Sequence, residues 1–309
     1  MKPQIYVSDV ISGFSDLGQT RQWTSSVLTR QVCELIPSFN QELYGRLKHA
    51  TKKCMGYPAV WSSKYALGLN DDQVFHSLRC GLPSLYVSLT TSITDDFLDA
   101  NSDASVEDLM VMYHLLFAAL ETNRWTENEF GRSFTSSISP LVHEFLQLRV
   151  PWWKLTSSER AERALQSPKR IGLFHRMIAT ELLHNVSGYT TQDVCAAISF
   201  AEQFGDFCAL IDDVLDLEVD MQEGTQYTRV MKLFHDFFPF NGDRPRVAEV
   251  RENASRMEFG AACLAMLTEA LGELRLAAPP CGQLGQRLDQ IECSLQTVPA
   301  MAFGEPANA

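Results

Sequence analysis

The sequence predicts an all-α protein, and three observations carry that reading. Apolar residues recur at helical intervals, as in Val106-Leu109-Met110-Tyr113-Leu116-Phe117-Leu120. Alternating runs closed by hairpin turn pairs are scarce. Breakers divide the chain at Pro37, Gly56-Tyr57-Pro58, Pro83, Pro140, Pro151, Pro168, Phe238-Pro239-Phe240-Asn241-Gly242, Pro245 and Ala278-Pro279-Pro280. They leave stretches of about 12 to 30 residues, enough for roughly ten helices. No stretch is rich enough in Gly, Ser or Pro to act as an interdomain linker, and no repeat of fixed period occurs. Residues 1–309 are therefore expected to form a single helical domain, with residues 1–18 and 304–309 frayed.

Composition narrows the function. With 45% hydrophobic and 21% charged residues the chain has apolar surface enough for a core. A net charge of -12 and a pI near 5.0 argue against a nucleic-acid backbone or an anionic membrane as partner, because both attract basic surfaces. If the substrate is an anion, cations must mediate. The eight cysteines form no CxxC pair and no dense cluster, which disfavours zinc and a disulfide scaffold. The first 30 residues lack the apolar run of a signal peptide, and no later stretch reaches about 18 uninterrupted apolar residues. The expected location is cytoplasmic, without membrane insertion.

Two acidic segments carry the chemistry. The stretch after Pro83 ends in Asp95-Asp96-Phe97-Leu98-Asp99, and a later one reads Asp212-Asp213-Val214-Leu215-Asp216-Leu217-Glu218-Val219-Asp220. On a helix Asp95 and Asp99 share a face, and Asp212, Asp216 and Asp220 drift across only about 80°. Between Arg79 and Arg124 there are seven acids and no Lys or Arg; between Arg176 and Arg229 there are ten acids and again no base. Each cluster sits among apolar residues such as Ile93, Leu98, Ile211 and Val214. Carboxylates that repel one another, with no local base, imply bound cations. Hard oxygen ligands select Mg2+ or a similar ion such as Mn2+, and Mg2+ usually joins one or two carboxylates to substrate phosphate oxygens. The missing component is a diphosphate.

The pair of Asp-rich helices resembles the trans-isoprenyl diphosphate synthase and class I terpene synthase superfamily, at intervals from about Pro83 to Lys232. The resemblance implies a single-domain helical bundle around a deep apolar pocket, with the two motifs facing each other and holding, as a rule, three Mg2+ ions. It makes Asp95, Asp96, Asp99, Asp212, Asp213, Asp216 and Asp220 the candidate catalytic and metal-binding set. Phe204-Gly205-Asp206-Phe207-Cys208-Ala209-Leu210-Ile211-Asp212-Asp213 looks like the prenyltransferase pattern in which Phe-Gln precedes DDxxD, with Cys208 in place of Gln. Pro168-Lys169-Arg170-Ile171-Gly172-Leu173-Phe174 resembles the Lys-containing segment that touches the diphosphate from the opposite wall, which makes Lys169 and Arg170 candidate diphosphate ligands. Arg229, in Glu223-Gly224-Thr225-Gln226-Tyr227-Thr228-Arg229-Val230, joins them, because that stretch resembles the Gly-containing turn and following helix of cyclases.

Within the superfamily the sequence resembles a cyclase more than a chain-elongating enzyme. The Arg pair that follows the first DDxxD in elongating enzymes is absent, since Asp99 is followed by Ala100-Asn101-Ser102-Asp103-Ala104-Ser105. Asp212, Asp216 and Asp220 fit the cyclase spacing i, i+4 and i+8, although Asp216 replaces the usual hydroxyl residue and the Arg-Tyr pair of many bacterial cyclases is missing. Aromatic faces stabilise carbocations, and Phe75, Tyr86, Phe97, Trp152, Trp153 and above all Phe204 and Phe207 are candidates. Small residues before the first motif, Ser88, Thr90, Thr91 and Ser92, imply a deep pocket. The expected substrate is farnesyl or geranylgeranyl diphosphate, and a homodimer is compatible with the resemblance. A chain-elongating synthase and a non-catalytic prenyl-diphosphate-binding homologue are the alternatives.

Overall fold

The computed structural model describes residues 7, 15–35, 45, 47, 56–79, 82–98, 105–125, 151–184, 186–224, 227–239 and 245–304. At residues 15, 92, 95–98, 121–125, 167–170, 223 and 282 it describes the backbone alone. Every regular element among the described residues is helical. In chain order these are α1 (Ser15–Leu35), α2 (Tyr57–Leu67), α3 (Asp71–Arg79), α4 (Pro83–Leu98), α5 (Val106–Trp125), a 3-10 turn (Trp152–Lys154), α6 (Ser157–His184), α7 (Thr191–Leu215), α8 (Leu217–Glu223), α9 (Arg229–Phe237), α10 (Val247–Ala254), α11 (Met257–Ala277), α12 (Gly282–Leu295) and α13 (Val298–Phe303). Two compact units are distinguished. The first comprises Met1–Ser15, Leu141–Gly172 and Gln203–Ala309, the second Asp16–Pro140 and Leu173–Glu202.

Local chemistry explains the helix starts. Pro58 and Pro83 occupy first-turn positions, where a missing N–H costs nothing. Asn70 and Gln73 cap α3 reciprocally: the Asn70 N–H donates to Gln73 Oε1 (3.0 Å) and the Gln73 N–H to Asn70 Oδ1 (2.9 Å). Thr156 with Glu159 and Thr190 with Asp193 do the same for α6 and α7. Pro168 departs from the sequence reading, since α6 runs through it. An interior proline costs about 3 kcal/mol. Buried Phe174, Ile178, Leu182 and Leu183 downstream contribute about 1.5–3 kcal/mol each, enough to hold the helix through it.

In the second unit α5 packs on α4. The helix predicted from the spacing of Val106 to Leu120 forms, and it is apolar on two faces. Val111, Leu115, Ala118 and Ala119 are buried, whereas Val106, Met110, Tyr113, Phe117 and Leu120 are 47–70% exposed. Gln31 of α1 ties three elements together: its Nε2 donates to the Leu78 and Arg79 carbonyls at the end of α3 (2.7 Å each), and its Oε1 accepts from Tyr86 Oη (2.9 Å). Phe75 stacks on Trp23 with ring centroids 5.7 Å apart. Phe75 and Tyr86 thus have packing roles within this unit.

Glu181 is buried in the same unit, and its Oε2 accepts from the Ser84 N–H (3.1 Å) and hydroxyl (2.5 Å) at the start of α4. Burial outweighs these bonds and pushes its carboxyl from 4.5 up to about 7. The folded chain therefore keeps a proton that the unfolded chain releases, and stability is lost as pH rises from about 4.5 to about 7. Gln mimics the protonated form. Glu181→Gln is expected to gain on the parent across that window, by about 3 kcal/mol at pH 8. Urea unfolding of both chains at pH 5 and pH 8 checks this, and equal differences at the two pH values would refute it.

The first unit is held by helices around α11, which packs on α9, α10, α12 and α13. Phe259 of α11 meets Phe234 edge-on at 5.2 Å and Phe303 at 5.4 Å, and Phe234, Phe259, Leu267 and Leu271 are essentially inaccessible. Such aromatic pairs contribute about 0.5–1.5 kcal/mol beyond the area they bury.

Candidate functional site

Helix α7 positions the second acidic motif. It is long and apolar enough to cross a membrane by length and composition. Its apolar stripe, which includes Phe200, Phe204, Phe207, Ile211 and Val214, is instead buried within the fold. Asp212 and Asp213 lie in its last turn, where the helix dipole is negative and basic side chains are favoured, yet no base is present there. Asp95 and Asp96 lie in the last turn of α4, also without a base. Their side chains, and Asp99 altogether, lie outside the described residues.

The motif does not continue on one helix, as the sequence spacing suggests. Asp216, at φ -101° and ψ 7°, interrupts it and caps α8. Its N–H still donates to the Asp212 carbonyl (2.9 Å), while its own carbonyl accepts from the N–H groups of Val219 (2.8 Å) and Asp220 (2.9 Å). The cause is electrostatic. A third and fourth carboxylate on the negative end of α7 would add to the repulsion, whereas a new helix start places Glu218 and Asp220 at a positive end.

Asp212, Asp213 and Asp216 nevertheless act on one another. Burial, then the charges of Asp212 and Asp216, push the Asp213 carboxyl well above the usual range, and Arg229 pulls it back. Burial also raises Asp216 to about 6. Asp213 Oδ2 is buried without a hydrogen-bond partner. Cys208, where the resemblance expects Gln, is buried, and both burial and Asp212 raise its thiol. It stays neutral.

Arg229 opens α9, whose N-cap Thr228 is buried and accepts from the Met231 N–H (3.2 Å). The turn before it is clamped. Gly224 ends α8 at φ +78°, its carbonyl accepts from the Trp152 N–H (2.9 Å), and a Cβ there would lie 2.2 Å from Trp153 Cζ3. Trp152 is buried 4.9 Å from the His235 ring. Tyr227 Oη lies 3.0 Å from His235 Nδ1. Burial lowers His235 to about 4 and raises Tyr227 to about 12, so both are neutral at pH 7.

Arg229 and Phe207 share a cavity of about 100 Å³ within the first unit, lined also by Gln203, Asp206, Leu210, Ala270, Glu273 and Leu274. It has the size of a few water molecules, well below the ~300 Å³ at which small-molecule pockets begin. It is a polar recess bordered by Asp206, Arg229 and Glu273, distinct from the apolar pocket expected from sequence. Phe204 is fully buried, 6.5 Å from the Phe207 ring. Thr91 is spent within α4, its hydroxyl donating to the Val87 carbonyl (2.9 Å). The side chains of Ser92, Phe97, Lys169 and Arg170 lie outside the described residues. Sequence reasoning left Asp206 and Glu273 unassigned. Asp206 stands within a quoted motif, but Glu273 has no motif around it and reaches the recess only through the fold.

The donor chemistry here suits a hard divalent cation: carboxylate oxygens, mutual repulsion and an orphaned buried oxygen. Among the described residues no group of three or more His, Cys, Asp or Glu is arranged to hold a metal ion. No protein-family model, curated protein or solved structure matches the chain. The family resemblance rests on the motif residues.

Proposed function

We propose that the chain is a Mg2+-dependent class I terpene cyclase, which ionises a linear C15 or C20 prenyl diphosphate in a pocket within a helical bundle and releases diphosphate and a cyclic terpene. One observation carries the reading: α7 ends in Asp212 and Asp213 against its own dipole, with Asp213 buried, one of its oxygens unpartnered, and Arg229 alongside. Such an end favours bound cations. Mg2+, when bound, supplies positive charge to the oxygens of the departing diphosphate. Asp212, Asp213, Asp216 and Asp220 of the first unit would hold it, and Asp95, Asp96 and Asp99 are the candidate metal ligands of the second unit. Arg229, Lys169 and Arg170 meet the charge that grows on the leaving group. Phe204 and Phe207 contribute buried apolar surface before the motif. The absence of an arginine pair after Asp99 favours cyclisation over chain elongation.

The test is incubation with C10, C15 and C20 allylic diphosphates plus Mg2+, with and without the C5 homoallylic diphosphate. The expected result is a hydrocarbon or alcohol and free diphosphate from the C15 or C20 substrate alone, abolished by a chelator. A longer prenyl diphosphate formed only with the C5 co-substrate would replace cyclisation by elongation. Failure of every substrate to react, with binding retained, would leave the chain a non-catalytic binder.

A further inference from the structure

We propose that Glu181 is a positioning residue for the first acidic motif: through Ser84 it fixes the start of α4, and loss of its proton resets the placement of the last turn of that helix, which carries Asp95 and Asp96. This rests on the reading of that motif as a metal site. Helix α4 begins with one donor to fill. Pro83 has no N–H, and the N–H groups of Leu85 (2.9 Å) and Tyr86 (3.4 Å) donate to the Leu82 carbonyl, which leaves Ser84. Its N–H and its hydroxyl both donate to Glu181 Oε2, on a residue 97 positions along the chain. A helix start is usually capped by the residue just before it. Here α6 supplies the acceptor, so α6 sets where α4 begins.

A second tie lies in the same turn, where Tyr86 Oη donates to Gln31 of α1. Further along, Thr90 and Thr91 spend their hydroxyls on the Tyr86 and Val87 carbonyls of α4 itself. A displacement of the start along the axis therefore travels with the helix to Asp95, about 16 Å on at 1.5 Å per residue. Mg2+ demands near-ideal geometry at about 2.0–2.1 Å, so a shift of a few tenths of an ångström there is felt as affinity. Glu181 has two forms that hold Ser84 differently. Ionised, it is a strong acceptor that places negative charge at the positive end of α4; protonated, it accepts more weakly. Burial brings the exchange between them to about 7. The causes of that shift are burial and the Ser84 bonds, and they include neither Arg176 nor His184, its nearest charged or titratable neighbours along α6, nor Glu34 of α1. Arg176 pairs with Glu202 of α7 (3.4 Å), and burial and Glu34 keep Tyr86 neutral. The ionised form holds α4 more firmly, so a metal ion at the motif and the Glu181 proton oppose one another.

Mn2+ binding to the full chain with inorganic diphosphate present, read from the paramagnetic resonance of the free ion at about pH 5.5 and about pH 8, tests this. Other acids titrate over the same range. The quantity to compare is therefore the gain in affinity between the two pH values, in the parent relative to Glu181→Gln. The parent's gain should be larger by about fivefold, the lower end of typical coupling between sites. That excess should vanish in an Asp95→Asn background and persist in Asp212→Asn. If Glu181→Gln misfolds, Glu181→Asp takes its place, because it keeps the charge but draws it back from Ser84, and the excess over it should be similar. Equal gains in parent and variant, with Mn2+ binding still weakened by Asp95→Asn, overturn the proposal and leave the motif a metal site. An excess that survives Asp95→Asn also overturns it. Mn2+ binding indifferent to Asp95→Asn overturns both the proposal and the metal reading of that motif.

Discussion

Gly224→Ala is expected to destabilise the chain by about 3 kcal/mol, a large share of a typical total. Two costs add. The residue sits at φ +78°, where a side chain costs roughly 1 kcal/mol or more. The new methyl would also lie 2.2 Å from Trp153 Cζ3, so the ring or the turn must shift, and overpacking of this kind costs about 1–3 kcal/mol. Trp153 has little freedom to yield, because Trp152 next to it is buried, meets it edge-on at 5.6 Å and donates to the Gly224 carbonyl. Urea unfolding measures the loss. A double-mutant cycle separates the two costs, since Gly224→Ala in a Trp153→Ala background should lose only the backbone part. A loss below about 1 kcal/mol in the single variant would mean that the two tryptophans do not clamp the turn.

The all-helical class was legible because its signals are local. Asn70 with Gln73, Thr156 with Glu159, and Thr190 with Asp193 are helix-start pairs three residues apart, and each forms reciprocal bonds. Pro168 misled because the rule that proline ends a helix counts one lost hydrogen bond and not the buried residues further along α6. The Val106 to Leu120 set predicted its helix but not how that helix packs. Helical spacing reports that a helix is apolar, and α5 is apolar on both faces, so periodicity could not say which face meets α4. At the candidate site, motif spacing singled out both Asp213 and Arg229, and the fold places Arg229 where its charge lowers the Asp213 carboxyl. The break at Asp216 lay beyond motif spacing, because it depends on the sum of several carboxylates and a helix dipole. Glu273 was out of reach altogether, since α11 comes to the recess through packing that no short motif encodes.

Asp213→Asn is expected to act in opposite directions on stability and on turnover. In the metal-free chain Asp213 is buried, has an unpartnered oxygen and is opposed by Asp212 and Asp216, with Arg229 only partly compensating. Its raised carboxyl means that the folded state resists ionisation, so stability is lost as pH rises above the ordinary aspartate range, and Asn abolishes that loss. At pH 8 the variant should gain about 2 kcal/mol, the scale of relieving one buried unsatisfied group. The same charge is what a cation would need. Mg2+-dependent turnover of the prenyl diphosphate should therefore fall on the order of a hundredfold, as should that of Asp212→Asn and Asp95→Asn. Raised Mg2+ should restore part of this loss if affinity is what fails. Arg229→Ala, Lys169→Ala and Arg170→Ala should lose turnover to a similar degree, but without rescue by metal, because their proposed task is to meet charge on the leaving diphosphate. Arg229→Ala should also lower stability, since it removes the cation nearest a buried acid. Thermal melts at pH 8 and single-turnover rates across a Mg2+ series separate these outcomes. Should Asp213→Asn gain stability yet keep full, metal-dependent turnover, the acids at the end of α7 would be a strained structural feature and the ionising site would have to lie elsewhere.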